Sequence, residues 1–513
     1  MLTAEACWLF AWTSALAATV WFVIIVVHRI FFHPLAAIPG PLLGRATYLY
    51  SFWFNVWGAR FYLQVEKLHQ QYGPVVRITP SEIHLSNPSN IEKIYYIGSR
   101  YGKCSRFYSA FGSGQATFTI ASPDLHRVKR AALNPFFSRK RVLELEEIVQ
   151  EKVYKLESRM REALAATGRI DLHYGFRAIS IDVITDYAFN SCYDFLDRKD
   201  FGVEFFSMLR DLSPWYWYFQ QFPSLQPLAM ATPLWLAKWT SKTLTLMLTY
   251  EGACRRQILK VKADIDAGVS KQIARPSIFY QLLQPDASEG YVVPTVEELK
   301  CEAYTIIAAA ADTTGNALTI AAYNVVTNAE IYRKLTQELR DAFPDIDAEM
   351  EFLALEKLPY LTAVIKEALR LSFGVAGRLP RTVPEGGAEF NGHFVPEGTV
   401  VSMSSWMIHH NEDIFPNAEV FDPTRWTDKD KSKALEKYLF SFGKGSRQCV
   451  GMSLAYCELY VTLGRVFRQF DNLKTRIKTR QELLYDDYFS MFHPEEYNKF
   501  YFERSAGSAS TLP

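Results

Sequence analysis

The stretch TVEELKCEAYTIIAAAADTTGNALTIAAYNVV, Thr295 to Val326, limits the fold more than any other in the chain. Thr295 and Glu298 have the spacing of a capping box, which marks a helix start. The turns that follow are apolar nearly all round, and a helix of that kind belongs in the interior, with other helices packed against it. At its centre stands AAAADTTG, Ala308 to Gly315. Buried Asp312, Thr313 and Thr314 each need a hydrogen-bonding partner. The small residues beside them let another body come close. A packing seam, with threonines bonding back to carbonyls, is one reading. A proton-delivering groove facing a bound ligand is the other.

The rest of the chain fits a mainly α protein with small β-sheets. Helical patterns run over Ala59–Gln71, Pro123–Phe137, Val142–Leu164, Thr295–Asn328, Ala329–Phe343 and Tyr360–Ser372. Pro74–Pro80 and Glu82–Ser86 read as strands, and Asn391-Gly392 as a hairpin turn. No internal repeat or second domain boundary is visible. The last residues, Ser505 to Pro513, are expected to fray.

From Ala6 to Val27 no residue is charged. Twenty-two helical residues reach roughly 33 Å, enough to cross a bilayer. The run is too long for a signal peptide and has no basic stretch before it. His28 and Arg29 follow it, which predicts a lumenal N-terminus and a cytosolic remainder. Residues 1–30 are therefore read as a membrane anchor. Residues 31–44, with Pro34, Pro39 and Pro41, are read as a Pro-rich hinge, and 45–513 as one catalytic domain.

Totals matter for exclusion. The 56 basic and 55 acidic residues give +1, with no global pull toward nucleic acid. The seven cysteines are scattered and odd in number, so neither a disulfide framework nor a zinc ribbon is expected.

One cysteine stands apart. In SFGKGSRQCVG, Ser441 to Gly451, Gly443 and Gly445 permit a tight bend before Cys449. An amphipathic helix follows, so the sulfur sits near a helix N-terminus with Arg447 beside it. That setting favours a thiolate, as nucleophile or as metal ligand. No signature of a nucleophilic site or zinc site accompanies it. A single thiolate suits haem iron, which brings four ligands of its own. Elsewhere, His126 and Arg130 share a helix face, Glu367 and Arg370 share another, and FDPTRW contributes Arg425.

Together these residues carry a resemblance. Phe442, Gly445, Arg447, Cys449 and Gly451 fit F-x-x-G-x-R-x-C-x-G, the haem-binding signature of the cytochrome P-450 superfamily. H-x-x-x-R, A-x-x-D-T, E-x-x-R and the arginine of FDPTRW occur in the family's order. FFHPLAAIPGP and HRVKRAALNPFFS are similar to filamentous-fungal microsomal members of secondary metabolism, of the trichodiene-oxygenase-like type.

The resemblance implies a single-domain cytochrome P-450 fold behind one transmembrane helix. It implies haem b with Cys449 as axial iron ligand, and Phe442, Gly445 and Gly451 shaping the loop. Arg447, His126, Arg130 and Arg378 would hold the haem carboxylates. Asp312 and Thr313 would deliver protons during dioxygen activation. Glu367, Arg370 and Arg425 would lock the proximal side. Ala310 stands where the family usually has glycine and narrows the dioxygen groove slightly.

Electrons would come from NADPH through a separate membrane-bound reductase, with cytochrome b5 as a further candidate donor. Arg127, Lys129, Arg139, Lys140 and Lys444 are the expected docking face. Cys104–Thr119, Ser213–Phe222, Thr305–Ala309, Phe373–Gly377 and Phe489–Phe492 are expected to line a pocket for a bulky lipophilic substrate, a terpenoid or else a polyketide. The expected activity is hydroxylation or epoxidation at the endoplasmic reticulum membrane, with the catalytic domain facing the cytosol. A haem-thiolate isomerase or dehydratase, and a non-catalytic haem-binding membrane protein, are the alternatives.

Overall fold

The computed structural model describes residues 4–268, 275, 277–284, 292–475, 485–493 and 500–504. The terminal residues 505–513, expected to fray, lie outside them.

The central helix spans Val296–Thr327 and opens on the expected capping box: Thr295 Oγ1 accepts from Glu298 N–H, and the Glu298 carboxylate accepts from Thr295 N–H. Helices Leu172–Phe189, Lys242–Asp266, Pro359–Ser372 and Met452–Gln469 pack around it. One contiguous apolar core joins these elements. The closest crossing is with Leu172–Phe189, and Gly315 makes it possible. A Cβ at that position would lie 2.5 Å from Cγ of Arg177 and 3.0 Å from its Cα.

The sheets are small and peripheral. The largest runs in the order Val75–Thr79, Glu82–Leu85, Val400–Ser402, Arg381–Thr382, Gly102–Lys103. Only the pairing of Glu82–Leu85 with Val400–Ser402 is parallel. Lys103 pairs directly with Arg381, which puts the two cations on one face. Asn391 and Gly392 both have positive φ, 49° and 81°, and turn a hairpin between Ala388–Phe390 and His393–Val395.

The N-terminal helix runs Ala4–Val27 and continues as a π-helical turn over His28–Phe32. Its apolar stretch, Trp8–Phe32, is long enough to cross a membrane and is not buried against the protein. The proline-rich segment after it is packed, with Leu35 and Ile38 buried. Buried Arg77 donates from Nη1 to the carbonyls of Arg29 and Leu35, at 2.8 and 3.3 Å. Arg45 donates to the carbonyls of Ile30 and Ala36, both at 2.8 Å. Side-chain donors thus take up carbonyls that the prolines leave without helical partners.

Candidate active site

The cysteine loop closes on itself. Cys449 N–H donates to the Phe442 carbonyl at 2.9 Å. The bend between them uses positive φ at Gly443, 63°, and Gly445, 70°. A Cβ on Gly445 would also meet the Tyr96 carbonyl oxygen at 2.5 Å, so this loop seats on the Tyr95–Tyr96 backbone only with glycine there. Helix Met452–Gln469 begins immediately after Gly451, and a Cβ on Gly451 would meet nothing within 4 Å. Phe442 contacts Tyr456 with ring centroids 5.3 Å apart.

Cys449 faces accessible space yet has protein massed around it. Burial pushes its thiol up, against the pull of the Gly451 N–H and Arg130. The helix terminus and neighbouring cations therefore do not outweigh desolvation in the protein alone, contrary to the expectation of a depressed thiol.

Cations gather beside this loop. Arg447 donates to the carbonyls of Ile120, Ala121 and Ser122. Arg130 donates to the Gln448 carbonyl at 2.8 Å and to Asn134 Oδ1 at 2.6 Å. Lys103 lies over the rings of Tyr108 and Phe118 and donates to the Phe118 carbonyl. Arg381 donates to Tyr108 Oη at 3.1 Å. His126 is buried on the same helix as Arg130, a helix N-capped by Ser122.

The electrostatics are lopsided. Burial, and then Arg447, Lys103, Arg130 and Arg381, push His126 down to about 3. Burial and Arg381 lower Arg447 to about 10, and burial with three arginines holds Lys103 well below its ordinary value. Among the described residues, no carboxylate forms an ion pair with Lys103, Arg130, Arg381 or Arg447. Mutually repelling buried cations without a counter-charge are the donor set for a ligand with anionic groups.

Two placements differ from expectation. Arg378 stands apart from the cations, with Nε 2.9 Å from Glu82 Oε1 and its guanidinium between the rings of Phe61 and Phe107. Arg381, three residues on, joins them instead, because its strand pairs it with Lys103. The basic residues expected to form a docking face are also partly paired. Lys129 is bound to Glu298 at 2.7 Å and Arg139 to Glu356 at 2.5 Å, while half-buried Lys444 donates to the Glu436 carbonyl at 2.9 Å. Arg127 and Lys140 remain exposed.

On the central helix, Ala309, Ala310 and Thr313 form an accessible stripe on an otherwise buried element. Thr313 Oγ1 donates back to the Ala309 carbonyl at 2.9 Å. Asp312 is buried on the adjoining flank, its Oδ1 2.8 Å from Arg177 Nε. Burial pushes its carboxyl up and Arg177 opposes that. The sequence reading missed Arg177; the only trace was the small Gly315 that admits its helix.

Glu367, Arg370 and Arg425 come together as expected. Arg370 donates to both Glu367 oxygens, at 2.9 and 2.7 Å, and Arg425 Nε approaches one at 3.3 Å. Trp426 Nε1 and the Asp422 N–H complete the carboxylate's partners, each at 2.9 Å. His409 extends the network. Its Nδ1 lies 2.7 Å from the Arg370 carbonyl, and its Nε2 accepts from Phe440 N–H at 2.8 Å, two residues before the cysteine loop's Phe442.

Above these elements lies an aromatic cluster. Phe107, Tyr108 and Trp217 are buried with Phe111, Phe118 and Phe489 packed on them. Phe489 has φ of 74°, a costly conformation for this residue, and its ring contacts four others. A neighbouring pocket is lined by Phe111, Tyr216, Phe219, Met230, Met247 and Tyr304 among others.

Over most of its length the chain is similar to known proteins. The Cytochrome P450 family model matches residues 39–497. A cytochrome P450 monooxygenase of Ascocoryne sarcoides, MO6277, is 36% identical over 91% of this chain and 93% of its own length. The cytochrome P450 monooxygenase macH of Penicillium terrestre is 34% identical over 91% and 93%. Conidiogenone synthase of Penicillium rubens is 33% identical over 87% and 89%. MO6277 and macH are named cytochrome P450 monooxygenases, and the family implies haem iron. With a lone cysteine at a helix start, unanswered cations beside it and a match over nearly its whole length, the chain belongs to the cytochrome P450 family, as a monooxygenase.

Proposed function

We infer that the chain is a membrane-anchored haem-thiolate enzyme that hydroxylates or epoxidises a lipophilic secondary metabolite, most plainly a terpenoid. The observation that carries this reading is the cation cluster without a carboxylate beside the accessible Cys449. The donor set fits haem. Cys449 would hold the iron, and Arg447, Arg130, Arg381, Lys103 and His126 would face the two carboxylates. No protein atom would lie within 4 Å of a Cβ at Gly451, two residues after the sulfur. When bound, haem supplies dioxygen activation.

The protein's own part is positioning and proton supply. The positive charge of iron would favour the Cys449 thiolate that burial alone disfavours. Thr313 Oγ1 would present a hydroxyl on the accessible stripe. Asp312, held by Arg177, would return protons to it. The aromatic cluster would exclude water and hold a bulky apolar body. The conidiogenone synthase among the relatives supports a terpenoid.

Electrons would arrive from NADPH through a reductase docking near Arg127 and Lys140. The apolar N-terminal helix would anchor the chain in the endoplasmic reticulum with the domain in the cytosol. Exposed Trp53, Trp57, Leu228, Trp235 and Trp239 support contact with a bilayer beyond that helix.

The test is the reduced, carbon-monoxide-bound spectrum of the purified chain and of Cys449→Ser. The native chain is expected to give the red-shifted Soret band of a thiolate-ligated haem, and the variant to lose it. Equal spectra would end the reading.

A further inference from the structure

A second cavity, partly open to solvent, lies between the large sheet and helix Pro214–Gln221. Thr79, Glu82, Cys104, Arg106, Trp217 and Arg378 are among its walls. Phe107 and Trp217 also belong to the aromatic cluster, so the cavity abuts that cluster.

Its polar groups are not satisfied by the protein. Thr79 is 3% exposed and its Oγ1 has no hydrogen-bond partner. Arg378 is 7% exposed, and although its Nε lies 2.9 Å from Glu82 Oε1, the N–H is not aimed to donate there. That Glu82 oxygen already accepts from Ser402 Oγ at 2.8 Å. Two buried groups that can donate therefore line the cavity without acceptors. Arg106 stands at the same wall, exposed, with its guanidinium 4.2 Å from the centroid of the Tyr48 ring. Among the described residues it pairs with no carboxylate. Among the charged residues in its walls, Arg106 and Arg378 outnumber Glu82, so the walls carry a net positive charge.

We propose that this cavity binds the carboxylate end of an acidic lipophilic substrate, held by Arg106, Arg378 and Thr79, while the apolar body packs against Phe107 and Trp217. The site is distinct from the cations around Cys449. Calling the ligand a substrate rests on the monooxygenase reading; the binding of an acid does not.

The experiment is equilibrium dialysis with the haem-loaded, full-length chain in detergent at about pH 8, where carboxylic acids are ionised. The probes are 1-naphthylacetic acid, its methyl ester and 1-ethylnaphthalene. A charge-assisted contact predicts that the acid binds at least about tenfold more tightly than either neutral probe. Arg106→Gln, an exposed change, is expected to remove most of that preference. Thr79→Val is expected to weaken the acid by about three- to tenfold without affecting the hydrocarbon. Arg378→Gln would leave Glu82 unpaired, so it is not the deciding variant. Equal binding of the three probes, or a preference that survives both Arg106→Gln and Thr79→Val, overturns the proposal. A preference in a chain that gives no thiolate-type spectrum would sink the monooxygenase reading and leave this site standing.

Discussion

Arg370 is fully buried, and it is tolerated because every face of it is answered: two carboxylate oxygens of Glu367 and the carbonyls of His409, Ala418 and Val420. Glu367→Gln keeps the shape and removes the counter-charge. Leaving one buried partner uncompensated costs about 3–5 kcal/mol, so the variant is expected to unfold at clearly lower denaturant, with the loss passed through His409 to the cysteine loop. An unchanged urea midpoint would show that the network does not bear on stability. Asp312 poses the opposite case. Asp312→Asn keeps an acceptor for Arg177 but cannot release a proton. If it supplies protons through Thr313, kcat falls about 10²- to 10⁴-fold while substrate binding holds. A matching rise in KM instead would mark a binding role.

At the scale of elements, two contacts decide how helices and strands meet. Gly315 lets Leu172–Phe189 cross the central helix closely enough for Arg177 to reach Asp312. Gly315→Ala pushes a Cβ against backbone, and overpacking of this kind costs about 1–3 kcal/mol. The predicted signature is a lower melting temperature together with the catalytic defect of Asp312→Asn; full activity would separate the crossing from the proton path. The second contact joins helix Phe61–Tyr72 to strand Glu82–Leu85. His69 Nε2 lies 2.7 Å from His84 Nδ1, and His69 Nδ1 lies 2.7 Å from the Gly73 carbonyl. Burial lowers His69 to about 4 and holds His84 well below its usual value. Both are neutral in the fold and free to protonate when unfolded, near pH 6.5. The unfolded chain therefore binds protons first, and stability is lost as pH falls from about 6.5 through about 4. In the double variant His69→Gln, His84→Gln, the slope of unfolding free energy with pH in that window is expected to drop by up to two protons. An unaltered slope would assign the acid sensitivity elsewhere.

For the whole molecule, the proposed contact with a membrane can be tested beyond the N-terminal helix. Helix Leu49–Val56 abuts helix Pro214–Gln221, where Phe52 contacts Tyr218 and Phe222. Trp53 and Trp57 stack on the exposed side of the first, and Leu228, Trp235 and Trp239 stand exposed after the second. A chain lacking residues 1–32 is therefore expected to keep partial affinity for lipid vesicles. Trp235→Ser with Trp239→Ser should reduce it by about a hundredfold or more in a sedimentation assay, since each tryptophan buried in lipid contributes about 1.5–3 kcal/mol of transfer and about 1.4 kcal/mol is tenfold. Binding that disappears entirely with the first 32 residues would confine membrane contact to the anchor.

The order of motifs, the central helix with its cap, the apolar N-terminal helix, the Asn391-Gly392 hairpin and the Glu367–Arg370–Arg425 set were legible in the chain. Each depends on neighbours in sequence, on helical or strand period, or on residues that cannot be buried alone. Tertiary structure decided what local pattern cannot: that Arg381 and not Arg378 joins Lys103, that Arg177 answers Asp312, that Lys129 is held by Glu298, and that burial raises the Cys449 thiol. Charges act through space, and which of two nearby arginines reaches a given partner is fixed by strand register and helix crossing, neither of which is written in any short stretch of residues.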